Sequence, residues 1–146
     1  MQTTINSEDI MVDVLDLRVG NYIYYSERSQ FPMKILSISH DGYITLDFDG
    51  NNGMPWDSDV KNVQGIPLSD ELMRRLGFSL SVGGLWQKRE QGRSIRIKIE
   101  SEFLFIEAFD DRLLDSRGNF HGIKYLHQLQ NAFKAISKQE LKIESL

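Results

Sequence analysis

No cysteine occurs in the 146 residues, and that absence removes disulfides, thiolate metal sites, thiol nucleophiles and iron–sulfur ligation together. It fits a reducing cytoplasm. Long apolar runs are missing too: nothing approaches the ~18 to 20 residues a bilayer-spanning helix needs. The opening "MQTTINSEDIMVDVL" lacks the basic start and continuous apolar stretch of a secretory signal. A soluble cytoplasmic protein is expected, with no membrane partner. Catalytic signatures are equally scarce. There is no G-x-S-x-G, P-loop, G-x-G-x-x-G or H-E-x-x-H. His40, His121 and His127 show no zinc-ligand spacing, and Asp110, Asp111 and Asp115 read as a solvated connection. The reading therefore assigns no catalytic residue, no metal and no cofactor, and an enzyme is its least supported class. Internal repeats and low-complexity tracts are absent as well.

What is present describes a globular chain. Hydrophobic residues make up 40% and charged residues 26%, ordinary values for a soluble folded protein. The length suits one domain, or two small lobes sharing an interface. Net charge is -4, so long-range electrostatics oppose broad docking on nucleic acid or anionic lipid.

Along the chain, residues 1–16 form a polar leader expected to be partly flexible, with the structure of "IMVDVLDL" left open. Residues 17–67 read as a small β-barrel-like lobe. "YIYY", "MKILSIS" and "YITLDF" are rich in β-branched and aromatic residues, with a hairpin turn at His40-Asp41-Gly42. "VKNVQGI" is expected to return as a fourth strand after an acidic loop. Short curled strands of this kind predict an SH3-like barrel.

Residues 68–146 read as an α+β lobe, which need not be separate from the first. "PLSDELMRRLGF" is a short helix, with Ser69 as N-cap, Asp70 and Glu71 in the first turn, Arg74 and Arg75 in the last, and Gly77 as stop. An antiparallel meander follows through "FSLSV", "LWQKRE", "SIRIKIE" and "FLFIEAF". In "SIRIKIE" the isoleucines alternate with Arg96 and Lys98, so one face is buried. In "FLFIEAF" both faces are apolar, so a second layer is expected over it, from the first lobe or another chain. "DDRLLDSRGN" reads as a connection, a last helix is predicted over about 121–137, and "ELKI" as a terminal strand.

In that last helix Tyr125, Leu126, Leu129, Ala132, Phe133 and Ile136 form an apolar stripe, and His127, Gln130, Asn131 and Lys134 a polar ridge opposite. The plain reading is a solvated face; the functional one is a partner contact. Trp56 in the acidic loop is a second partner candidate, against the plainer role of capping the barrel end. The loop's Asp47, Asp49, Asp57 and Asp59 invite a calcium reading. It fails the EF-hand pattern, because Asn52 and Ser58 stand where the turn glycine and the bidentate glutamate belong.

No Lys or Arg lies between Lys34 and Lys61, whereas residues 85–100 carry Lys88, Arg89, Arg93, Arg96 and Lys98 and a net +3. With Trp86 nearby, those five residues are the nucleic-acid-binding candidates. The competing readings are a charged outer face that keeps the sheet soluble, or an interface with the acidic loop.

Three motifs carry a resemblance: Leu17, Arg18, Gly20 and Asn21 of L-R-x-G-N; Ile66, Leu68, Ser69, Leu72, Leu76, Gly77 and Phe78 around the short helix; and Tyr125 through Asn131 of Y-[VIL]-H-Q-L-Q-N. In these the chain is similar to a family of short uncharacterised proteins of bacteriophages and mobile elements of gut bacteria. The longer leader and the loop at 47–59 depart from it. The resemblance implies a bacterial host cell, with virion and host-takeover roles both open, and brings no catalytic assignment. Taken together, the expectation is a non-enzymatic accessory protein that binds a protein partner or itself; the alternative is a nucleic-acid-binding module.

Overall fold

The computed structural model describes residues 14–26, 29–48, 51, 53–90, 92–144 and 146. The chain divides into two units, Met1–Ile66 and Pro67–Leu146, and both classes of regular structure are present, making an α+β protein. Most of the leader, residues 1–13, lies outside the described residues; Val14–Asp16 forms a 3-10 turn.

The first unit is one antiparallel sheet in the order β1 (Tyr22–Ser26), β2 (Ser29–Ile38), β3 (Tyr43–Asp47), β4 (Trp56–Asp59). The L-R-x-G-N residues form the turn that feeds it. Asn21 donates its backbone N–H to the Arg18 carbonyl at 3.1 Å and its Oδ1 accepts from the Arg18 N–H at 2.8 Å. Gly20, at φ +95, takes a conformation that costs a side-chain-bearing residue about 1–2 kcal/mol. The core is Ile23, Met33, Ile35, Ile44 and Leu46 from strand positions, closed by Leu17 before β1 and Val63 after β4.

Two expectations for this unit need correction. The fourth strand lies inside the acidic stretch, because Asp57 and Asp59 sit on an edge strand where carboxylates meet water. Residues 60–66 make no strand: the Asp59 carboxylate accepts from the Lys61 N–H at 3.1 Å and closes a 3-10 turn over Val60–Asn62. Beyond it Gln64 exchanges backbone bonds of 2.8 and 2.9 Å with Tyr24. This is an isolated bridge, and among the described residues the sheet does not close into a barrel.

The second unit opens with α1 (Asp70–Arg75). The Ser69 hydroxyl accepts the Leu72 N–H at 3.1 Å, Glu71 and Arg75 pair at 3.0 Å one turn apart, and Gly77 ends the helix at φ +91. Six residues cannot hold a helix in water; Leu72, Met73, Leu76 and Phe78 anchor this one by burial. A five-stranded antiparallel meander follows in sequence order: β5 (Ser79–Leu80), β6 (Trp86–Glu90), β7 (Arg93–Glu100), β8 (Phe103–Asp110) and β9 (Leu113–Phe120). The segment read as a connection is thus largely β9. Its register slips at Asp115, a bulge that accounts for the lack of plain alternation in "LLDSRGNF".

The last helix, α2 (Leu126–Ser137), starts later than expected. Gly122 turns the chain at φ +70, and the Gln128 side-chain oxygen reaches back to the N–H groups of Lys124 and Tyr125 at 2.7 and 3.1 Å. The helix lies against β8 and β9. Leu126, Leu129, Ala132 and Phe133 are buried, as are Ile95, Ile97, Leu104, Ile106 and Ala108 of the sheet. Phe78 meets Phe133 edge to face at 6.5 Å, tying the end of α1 to this layer. At Gly118 a side chain would fall 2.7 Å from Cδ1 of Ile136, so helix and strand approach as closely as glycine permits. "ELKI" is irregular, with Leu141 buried. Among the described residues no helix is long and apolar enough to cross a membrane.

Candidate interaction surface

Strand register sorts the second sheet into two faces. Ile95 pairs with Ala108, Ile97 with Ile106 and Ile99 with Leu104, all on the side that α2 covers. Between them lie the outward rows: Ser94 beside Phe109, Arg96 beside Glu107, Lys98 beside Phe105 and Glu100 beside Phe103. β9 continues the same outer face with Leu114, Arg117 and Asn119 opposite Phe109, Glu107 and Phe105. On the other flank, β6 adds Gln87 and Arg89.

Among the described residues of this unit, no second layer covers the outer side of "FLFIEAF". Phe103 is 54% exposed and Phe105 and Phe109 are half-buried, each screened only in part. The Arg96 guanidinium lies 4.8 Å over the Phe109 ring, and His121 meets Phe103 edge-on at 4.5 Å. The outcome is a line of three phenylalanines down a central strand, with Arg89, Arg96, Lys98 and Arg117 around it and Glu100 and Glu107 interspersed. Arg117 and Leu114 were missed in sequence because the strand that carries them reads as loop.

The five basic candidates do not act together. Lys88 and Arg93 point to the covered side and serve as structural caps. The Lys88 ammonium donates to the Leu76 carbonyl at the end of α1, at 2.7 Å, and pairs with Glu90 at 2.9 Å. Arg93 donates to the Ser137 carbonyl at the end of α2 and pairs with Asp115. Cations at helix C-termini complement the carbonyl dipoles there. Trp86 is buried under the Arg74 guanidinium and offers no stacking face to a ligand. Arg89, Arg96 and Lys98 remain on the outer face.

The polar ridge is also divided. His127 and Gln130 are each 2% exposed, Asn131 is half-buried, and only Lys134 is open, paired with Glu140 at 2.9 Å. A solvated ridge was expected because a helical wheel sorts residues by polarity, whereas burial depends on what surrounds each position. The His127 ring lies parallel to that of Tyr125 at 5.8 Å, and its buried Nδ1 finds no hydrogen-bond partner among the described residues. Burial lowers its pKa from 6.5 to about 4, keeping the ring neutral.

In the first unit Trp56 is 48% exposed with its ring edge-on to Tyr25 at 5.7 Å. Asp49 and Asn52 of the calcium reading lie outside the described residues. Asp47 accepts from the Asn51 amide, and Asp59 is occupied with Lys61. Among the described residues no three His, Asp or Glu side chains gather as metal ligands would. No family model, curated protein or solved structure matches the chain.

Proposed function

We propose that the chain is a non-enzymatic accessory protein of a bacteriophage or mobile element, working in the cytoplasm of a bacterial host as a binding module. Its contact surface is the outer face of the second sheet. The observation that carries this reading is the line Phe103, Phe105, Phe109, only partly screened on a strand inside the sheet. An apolar centre ringed by charge has the anatomy of a protein interface, so the leading partner is a protein or a second copy of the chain. Support for the family comes from the work its motif residues do: the turn at Arg18–Asn21, the cap at Ser69 and the stop at Gly77. We also take the first unit as an open, SH3-like arrangement of strands. The ring contact between β1 and β4, which are not neighbours in the sheet, and the return of Gln64 to β1 after a 3-10 turn favour it.

Concentration-dependent light scattering tests self-association, and Phe105→Glu is expected to abolish it. A strict monomer that also retains no protein partner overturns the leading reading. A second reading, single-stranded nucleic acid, is favoured by one specific observation: Arg89, Arg96, Lys98 and Arg117 share the face of the phenylalanines.

A further inference from the structure

At the β5 end of the outer face lies a hollow of about 230 Å³, lined by Ser79, Gln87, Lys88, Arg89, Ser94 and Arg96. It forms because β5 is only two residues long, so β6 from Lys88 onward has no strand beside it on that edge among the described residues. It is smaller than the ~300 to 1,000 Å³ of drug-sized pockets, and suits one charged group better than a whole small molecule. No acidic side chain lines it. The neighbouring concavity beside α1, of about 200 Å³, differs in this respect: Glu90 and Glu144 accompany Arg75, Lys88 and Lys142 in its lining, so most of the positive charge is offset.

The two arginines of the hollow stand apart from the other cations of these strands. Lys88, Arg93 and Lys98 each hold a carboxylate, from Glu90, Asp115 and Glu100. Arg89 and Arg96 have no carboxylate partner among the described residues. Arg96 is nevertheless positioned, because its guanidinium rests on Phe109. Two arginines, two serines and a glutamine line it with no acid among them, the Ser79 hydroxyl donating to the Gln87 carbonyl at 3.5 Å. A tetrahedral oxyanion with several acceptor oxygens matches that donor set better than a planar carboxylate does.

What lies next to the hollow narrows the source of the anion. Ser94 neighbours Phe109 across the strands; further along β8, past Glu107, come Phe105 and Phe103, which are two residues or roughly 7 Å apart from each other. Bases in a duplex rise by about 3.4 Å and turn inward, so this spacing fits the splayed bases of an extended single strand. Phe109 is already covered by Arg96, which leaves Phe105 and Phe103 as the stacking positions.

We propose that this hollow is a phosphate site that seats a backbone phosphodiester of single-stranded nucleic acid between Arg89 and Arg96, while the adjacent bases lie on Phe105 and Phe103. The inference rests on the nucleic-acid reading of the outer face. A mononucleotide shares the phosphate chemistry but spans only one stacking position.

The test is fluorescence anisotropy of a labelled oligothymidine with the full chain at two salt concentrations, with thermal melting to verify the fold of each variant. Arg89→Gln combined with Arg96→Gln is expected to weaken binding about tenfold and to make the salt slope shallower by roughly 0.7, as loss of one single-strand phosphate contact does. Phe105→Ala weakens binding with the salt slope unchanged, and Lys134→Gln changes neither. If the folded double arginine variant keeps the wild-type affinity and slope while Phe105→Ala loses binding, the phosphate site is wrong and the nucleic-acid reading stands. If the wild type binds no oligonucleotide at low salt, that reading falls with it. Competition by a mononucleotide or inorganic phosphate at the affinity of the oligonucleotide overturns the strand assignment.

Discussion

On one face of the second sheet Ile97, Leu104, Ile106 and Ala108 are sealed from water; on the other, Phe103, Phe105 and Phe109 stand among arginines. One strand, β8, supplies all of these except Ile97 of β7, and its alternate side chains are about equally apolar. The difference between the faces therefore comes from what is available to cover them. Among the described residues the unit has a single long amphipathic helix, whose stripe of Leu126, Leu129, Ala132 and Phe133 serves one side. Each aliphatic side chain sealed beneath it contributes about 1.5–3 kcal/mol. The opposite face keeps its apolar surface for use in binding, screened in part by Arg96 and by the edge of His121.

The largest effect that sharpens this contrast is expected from truncation beneath the helix. Leu104→Ala and Ile106→Ala, at positions with no exposure, should each lose about 2–5 kcal/mol in denaturant unfolding, because the packed layer cannot collapse into the cavity. Phe105→Ala, on the same strand but facing outward, should lose only about 1 kcal/mol. Equal losses on the two faces would show that a covering layer exists on both.

Next in size is a pH effect at α2. His127 is neutral in the folded chain, with its pKa lowered to about 4 by burial. The unfolded chain titrates near the ordinary 6.5. As pH falls below about 6.5 the unfolded state takes up the proton first, so stability drops until the folded pKa is passed and then levels off. The loss at pH 5 relative to neutrality should be roughly 2 kcal/mol. Paired unfolding curves of the wild type and His127→Gln isolate it; an unchanged difference between pH 7.5 and pH 5 would sink the assignment. This face of the helix thus behaves as interior despite its polar residues.

How far the sequence announces this arrangement depends on whether local chemistry or surroundings decide each feature. α1 is legible from Ser69 to Gly77 because cap, first-turn acids and stop glycine act within one segment. The alternation of Ile95, Arg96, Ile97 and Lys98 likewise identifies β7 and its faces. β9 is hidden by its bulge at Asp115, its exposed leucines and Gly118, none of which resembles a half-buried strand. β4 is hidden by its aspartates. The arginines read as one patch because they are close in sequence; register sends Arg93 inward to a helix end and Arg96 outward, and no count of charge reveals that. His127 and Gln130 failed as ridge residues for the same reason in reverse: their polarity is local, whereas their burial is set by neighbours distant in sequence.

A smaller effect probes the contact between helix and sheet. Gly118→Ala brings a methyl against Ile136 and against Phe120, whose Cε2 is 3.2 Å from the new atom. The Ile136 contact is the flexible end of a half-buried side chain, so it can swing aside, and the expected cost is about 1 kcal/mol, at the low end for overpacking. Thermal melting should register a modest fall in Tm, and Gly118→Val a larger one, since a branched side chain leaves Ile136 no room to yield.

The smallest change in stability separates the two faces most cleanly in function. Phe103→Ser removes a ring that is 54% exposed and touches His121 only edge-on, so unfolding free energy should move by no more than about 0.5 kcal/mol. Binding should respond differently, since an aromatic ring at the end of the line is area that a partner buries only on docking. A loss of affinity with the melting curve unchanged would assign the ring to recognition. If stability falls by as much as in Leu104→Ala, the ring belongs to the core after all, and the outer face loses its claim to be a surface held open for a partner.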